Sequence, residues 1–281
     1  MESLKYALHG INLQSYTTPQ IIGDVARAAE EAGFESLWTG EHTVLPEHSS
    51  FQPATTPILD PLLVLTHVAA ITHTLKLVTG VIILPQRQPL VLAKEIATLD
   101  HLSGGRVMAG FGVGFLEPEF EALGVPFAER GARTDEYLEA MLAIWSQDHP
   151  AYHGRFVSFA NIQAYPRPLQ QPAPPIIIGG TSTAALRRAA KFAQGWFAPV
   201  LDTEHLPNII NKLHQFEQEG ARPAGLAPLE ISTYLSEAPT PGQAEQLAAR
   251  GVHRLVLALP TPADRDTALR FIEHTSQTLL Q

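Results

Sequence analysis

The residues with the most direct chemical meaning are Gly179-Gly180-Thr181-Ser182, which follow an apolar run and open a helical pattern. Two glycines let main chain come close to a ligand. Thr181 and Ser182 then bring hydroxyls and amides to a helix N-terminus, where free N–H donors and the helix dipole favour an anion, typically phosphate. Arg187 and Arg188 would add positive potential nearby. A tight turn with an ordinary N-cap accounts for the same four residues. A proton-handling role falls best on His42, because histidine alone titrates near neutrality unperturbed, and His42 stands at a strand end beside a long loop. Gly110, Gly112 and Gly114 alternate by two, with Val113 between the last pair, so the three share one strand face. Either a flat ligand or close packing would use that face. His9, Phe115, Trp196 and Phe197 also follow or end apolar runs and would line a substrate pocket beside these groups.

Other chemistries are disfavoured by spacing. There is no cysteine, which removes thiolate nucleophiles, thiolate metal sites and iron–sulfur clusters. His9 is followed by Gly10 and Ile11 rather than by a second histidine, and His67 and His73 are six apart, so no metal set assembles and a metal-dependent hydrolase is disfavoured. Neither a Gly-x-Ser-x-Gly turn nor a Walker sequence occurs. With no side chain able to carry redox chemistry, any such activity must come from a cofactor.

The elements that would position these residues alternate. Apolar strand patterns at Leu4–Gly10, Phe34–Thr39, Leu75–Leu84, Arg106–Gly110, Pro175–Ile178, Gly195–Pro199, Leu229–Leu235 and His253–Leu259 are each followed by a helical pattern. Thr18-Pro19 reads as a cap with proline in the first turn, and Gly33 as a C-terminal stop. Eight strand–helix units predict a single (β/α)8 TIM barrel over residues 1–281, with a doubly wound open sheet as the alternative. In a barrel the chemistry sits at the strand C-termini, where the residues above fall. Two long irregular segments, 40–61 and the proline-rich 151–175, are expected to insert at that face as lids.

The composition fits a globular α/β chain: 281 residues, 45% hydrophobic, 17% charged, with 19 Lys and Arg against 28 Asp and Glu for a net charge of −9. An acidic total without a basic cluster argues against nucleic acid as a partner. The most apolar stretch, 62–84, is broken by His67, His73 and Lys76, and the N-terminus has no signal-peptide pattern, so a cytoplasmic protein with no membrane span is expected.

Several strings together resemble the bacterial luciferase-like monooxygenase superfamily. Asp100-His101-Leu102-Ser103-Gly104-Gly105-Arg106 matches its Asp-x-Leu-Ser-Gly-Gly-Arg segment. Gly112-Val113-Gly114-Phe115 with Glu119-Phe120, then Gly124-Val125-Pro126-Phe127, Glu129-Arg130 and Asp135-Glu136, continue the likeness. Pro174-Pro175-Ile176-Ile177-Ile178-Gly179-Gly180-Thr181 is similar to the branch that uses the deazaflavin coenzyme F420. The resemblance implies a TIM barrel with a tricyclic ring over the strand C-termini and its phosphate on Gly179, Gly180, Thr181 and Ser182. It further implies cofactor binding by Gly112-Val113-Gly114 and by Thr79-Gly80-Val81, where a non-proline cis bond would make a bulge supporting the ring, a catalytic or ring-orienting histidine at His42, and a homodimer. Two departures stand out: Phe115 replaces the glutamate proton donor of sugar-phosphate dehydrogenases, and Val113 replaces an arginine of luciferases.

The resulting expectation is an F420-dependent oxidoreductase acting by hydride transfer on a small organic substrate. The alternatives are a monooxygenase using reduced FMN (FMNH2) and oxygen, and a non-catalytic flavin or deazaflavin carrier.

Overall fold

Helix signals in the sequence act where they fall. In the computed structural model, which describes residues 3–48, 51–198, 205–223 and 225–280, Thr18 caps α1 (Pro19–Glu31) by accepting from the Ile21 amide. Asp60 caps α2 (Pro61–Ala69) through the Leu62 and Leu63 amides. Gln88 opens α3 (Pro89–Ser103), and Gly104, with φ of 69°, closes it in the left-handed conformation that glycine adopts at no steric cost. Then come α4 (Glu117–Ala122), α5 (Arg130–Ser146), α6 (Thr183–Phe192), α7 (Leu206–Phe216), α8 (Pro241–Ala249) and α9 (Arg265–Leu279). None of the described helices is long and apolar enough to cross a membrane.

Eight parallel strands close on themselves: β1 (Lys5–His9), β2 (Ser36–Thr39), β3 (Lys76–Thr79, resuming at Ile82–Ile83), β4 (Val107–Gly112), β5 (Ile176–Gly179), β6 (Gly195–Ala198), β7 (Glu230–Leu235) and β8 (Arg254–Ala258). Each pairs with its neighbours in sequence, and β8 returns to β1 with Val256 opposite Ala7. The fold is the TIM barrel that the alternation predicts, and closure rules out the open sheet. Pro199, the expected last residue of the sixth strand, lies outside the described residues.

Strand alternation divides the side chains into two sets. Ala7, Trp38, Val78, Met108, Ile177, Phe197 and Val256, one from each of seven strands, fill the barrel axis, with Tyr234 of β7 and Val81 packed against them. Their outward neighbours, such as Leu8, Leu37, Leu77 and Ile178, form the larger core under the helices. At the strand N-termini Arg254, 1% exposed, is held by Glu35, Glu230 and Ser232, and a cavity of about 500 Å³ opens there among Lys5, Lys76, Gln170 and Gln194. That end of a barrel carries stability rather than chemistry.

The two long segments part company. Segment 41–60 leaves the C-terminal end of β2 and does sit at the strand C-termini. Segment 151–175 instead joins the end of α5 to the start of β5, so both its roots lie at the opposite end. Its hairpin (Tyr152–His153 with Ser158–Phe159) lies along α5, with the Tyr152 hydroxyl 2.8 Å from Glu139. Its end is tied down by Gln170, which donates to Asp100 and to the Val107 carbonyl. It is not the expected lid, because any segment leading from a helix into a barrel strand must begin at the far face. The second element over the mouth is 113–129, the β4–α5 connection carrying α4.

One half-buried carboxylate sets an acid limit on the fold. Glu30 of α1 accepts from the amides of His73, Thr74 and Leu75 at 2.6–3.0 Å and from the Thr74 hydroxyl. Burial opposes its charge, but the four donors win and hold its pKa down at about 2. A depressed carboxylate contributes stability that is full above its ordinary value of 4.5 and fades as pH falls toward about 2. Urea unfolding across that window should show wild type losing about 1–2 kcal/mol more than Glu30→Gln, after allowance for solvent screening. Parallel slopes would show the site unimportant.

Candidate active site

The mouth is organised by Gly80-Val81, whose peptide bond is cis. This is the segment where the resemblance places such a bond. Val81 turns its methyls inward, and β4 and β5 are carved to receive it. A Cβ added at Gly112 would stand 2.6 Å from Val81 Cγ2, and one at Gly179 would stand 2.9 Å from Val81 Cγ1. At Gly110 an added Cβ would come within 1.9 Å of the Thr79 carbonyl oxygen, while the Thr79 hydroxyl bonds both the amide and the carbonyl of Gly110. Gly114, with φ of 75°, makes room for Ile83 and Phe120. The alternating glycines therefore form a mould for the neighbouring bulge.

At the end of β2 two adjacent residues point to different tasks. Glu41 is buried, accepts from the Ile83 amide and from Arg87, and is pushed up in pKa by burial against the pull of that guanidinium. Arg87 also reaches Asp60 at 2.6 Å. His42 faces the mouth instead. Its Nδ1 is 2.9 Å from Oε2 of Glu119, whose other oxygen accepts from the Thr43 amide at 2.6 Å. Burial alone would raise the Glu119 carboxyl, yet the hydrogen bond and charge of His42 leave it below the usual range. Because a carboxylate only accepts, Nδ1 carries the proton and Nε2 is left free to exchange one with a bound molecule. The imidazole is walled by Phe51 at 5.2 Å and Phe115 at 5.7 Å between ring centroids.

Glu119 is the functional residue that sequence reasoning missed. It is fully buried on the six-residue α4, and the signal was its place in the Glu119-Phe120 string, to which no chemistry attached. Asn12 is another positioning residue. Completely buried, it donates to the carbonyls of Gly40 and Leu59 and accepts from the Gly40 amide.

On the neighbouring strand, His9 lies inward at the end of β1 with Nε2 3.0 Å from the Gly80 carbonyl. Trp196 is not a pocket wall. It points outward from β6, is fully buried, and donates its indole N–H to the Gly180 carbonyl at 2.8 Å. The inward residue of that pair is Phe197, as strand alternation requires. Phe115, 58% exposed, does line the mouth, and Val113 lies beside it in the β4–α4 turn.

At the end of β5, Gly180 has φ of 113°, and Ser182 caps α6 by accepting from the Ala185 amide. The amides of Thr181, Ser182, Thr183 and Ala184 donate to no acceptor among the described residues. Their cation is not Arg188, which is buried against Asp135 at 2.6 Å, nor Arg187, which lies over the Phe216 ring. It is Lys212 of α7, whose Nζ is 2.8 Å from the Thr183 hydroxyl. Free amides, an open glycine and a lysine suit an anionic tail. Val81 above the apolar axis suits a flat ring. Among the described residues no three His, Asp or Glu side chains are grouped to hold a metal.

A family model described as luciferase-like monooxygenase matches residues 4–279. The chain belongs to that family. Among its luciferase-like relatives an uncharacterised protein of Mycobacterium tuberculosis is 33% identical over 266 residues, 90% of this chain and 92% of that one. An FMNH2-dependent dimethylsulfone monooxygenase of Pseudomonas putida is 32% identical over 176 residues, 62% of this chain and 47% of that protein. In three dimensions an F420-dependent secondary alcohol dehydrogenase, solved with an F420–acetone adduct, superposes with a TM-score of 0.81 at 15% identity, covering 97% of this chain and 98% of the other. The last likeness is one of fold. Of the proteins the chain resembles, one is named for FMNH2 and one for F420.

Proposed function

We propose that this luciferase-like protein is an F420-dependent oxidoreductase transferring hydride to or from a small organic substrate. The observation that carries the reading is the His42–Glu119 pair, a proton-exchanging imidazole held by a buried carboxylate at the rim of an apolar mouth. Bound F420 supplies a two-electron hydride centre. Oxidising a carbon–oxygen bond by hydride removal also releases a proton from oxygen, and His42 Nε2 is the group placed to accept it. In the reverse direction the same nitrogen delivers it. Glu119 fixes the ring through Nδ1 and stabilises the imidazolium while the proton resides there. Phe51 and Phe115 exclude water from that side, and the amides of Thr181–Ala184 with Lys212 hold the tail.

A second reading, a monooxygenase using FMNH2 and oxygen, draws on the Pseudomonas relative and on Phe115 standing where deazaflavin sugar-phosphate enzymes have a glutamate. Both ligands carry a ribityl phosphate, so the α6 N-terminus serves either. Spectral titration of the apoprotein with F420 and FMN, each oxidised and reduced, separates them. Tighter binding of F420 is expected, whereas FMNH2-supported oxygen consumption without F420 binding would replace the first reading by the second.

The same titration checks the tail site. Lys212→Ala should weaken F420 about three- to tenfold, the worth of one partly screened charge-assisted contact, and the loss should shrink as salt rises. Unchanged affinity would move the tail elsewhere.

A further inference from the structure

His9 and Tyr234 stand at the mouth on β1 and β7, either side of β8, and the reaction just described uses neither. Their rings meet edge to face, 5.3 Å between centroids at 89°, and Phe197 lies 6.4 Å from the His9 ring. The Gly80 oxygen can only accept, so the His9 nitrogen 3.0 Å from it, Nε2, carries the proton. Burial lowers the His9 pKa, which keeps the ring neutral, and Nδ1 is then a bare acceptor. Burial raises the Tyr234 pKa, so the phenol stays protonated and can donate. Neither His9 Nδ1 nor the Tyr234 hydroxyl has a hydrogen-bond partner among the described residues. Phe197, Tyr234 and the Gly80 carbonyl, which meet the His9 ring, are all uncharged.

We infer that His9 and Tyr234 are the specificity-determining polar pair of the substrate site, recognising an uncharged group that both accepts and donates a hydrogen bond, a hydroxyl or a primary amide. This rests on the proposed function only in placing a small organic molecule at the mouth. An acceptor and a donor side by side satisfy such a group completely. A carboxylate would meet the lone pair of Nδ1, and an ammonium would bring its charge beside groups that offer no counter-charge. Phe51 and Phe115, packed on His42 at the same mouth, favour an aromatic or otherwise apolar body on that group.

The experiment uses the full chain labelled with 15N at histidine, and four probes of one size: benzyl alcohol, benzamide, benzoate and benzylamine. The free protein should show His9 as the neutral tautomer protonated at Nε2. Benzyl alcohol and benzamide should shift the Nδ1 resonance, with benzoate and benzylamine silent at equal concentration. Tyr234→Phe keeps the ring packing and should weaken the alcohol about fivefold, the worth of one neutral hydrogen bond, while leaving F420 and FMN affinities unchanged. A His9 protonated at Nδ1, a response to benzoate equal to that of the alcohol, no response to either neutral probe, or unaltered alcohol binding in Tyr234→Phe would each overturn the inference. Failure of wild type to bind either cofactor would instead overturn the proposed function, because the probe titrations are read without cofactor.

Discussion

Replacing His42 with alanine should lower kcat/KM about 10²- to 10⁴-fold while leaving F420 affinity within a factor of about two. The asymmetry follows from position. His42 lies between two phenylalanines at the mouth, whereas the proposed tail site is at α6 and Lys212. Glu119→Gln tests how the imidazole is held. A glutamine oxygen still accepts from Nδ1–H, so the geometry persists, but the charge that supports the imidazolium is gone. A loss of about 10- to 100-fold is expected, confined to kcat and accompanied by a displaced pH profile. In wild type the contribution of the pair is complete above the ordinary glutamate range. It is lost as pH falls through the lower value that Glu119 has in the folded protein. Turnover indifferent to both substitutions, with cofactor still tightly bound, would mark the protein as a carrier rather than an enzyme.

The largest structural effect is expected from the smallest change. Gly110→Ala asks one methyl group to occupy space 1.9 Å from the Thr79 carbonyl oxygen, inside the double hydrogen bond that joins Thr79 to Gly110. Both neighbours are backbone, so no rotamer change relieves the clash, and β3 must move away from β4. A cost of about 3 kcal/mol or more follows, lowering Tm by roughly 6–12 °C. Gly242→Ala is the control. It lies in the first turn of α8 with nothing within 4 Å of an added Cβ, so thermal unfolding should be unchanged or raised slightly. Equal Tm for the two variants would mean that the barrel tolerates a reshaped bulge.

The contrast explains what could be read in advance. Alternation of apolar runs with capped helices revealed the barrel because burial and capping are local demands, satisfied by residues a few positions apart. The string that most clearly betrayed the family, Asp100 to Arg106, turns out to be scaffolding. Gly104 and Gly105 end α3, Asp100 holds Gln170, and Arg106 spends its guanidinium on the carbonyls of Ala69, Thr72, Leu75 and Ser103 and the Thr72 hydroxyl. Recognition and chemistry therefore live in different residues. What stayed hidden required partners far apart in the chain. Glu119 meets His42 across 77 positions, and Lys212 meets Thr183 across 29. A strand end without its register does not say which of two adjacent aromatics, Trp196 or Phe197, faces the axis. Length and proline content mark 151–175 as irregular, but only its place between α5 and β5 says which end of the barrel it must visit.

Segment 40–60 is tied to the barrel at both of its ends. Asn12 grips Gly40 and Leu59, and Arg87 spans Glu41 and Asp60, so its first and last residues are fastened twice to the same patch of barrel. The stretch between behaves like a handle bolted at both ends. A protease that nicks it once should yield two fragments that stay together and keep their melting temperature, since nothing on either side of the cut is released. Natural or engineered exchange of the handle's middle could then change what the protein admits without taxing the body that carries it.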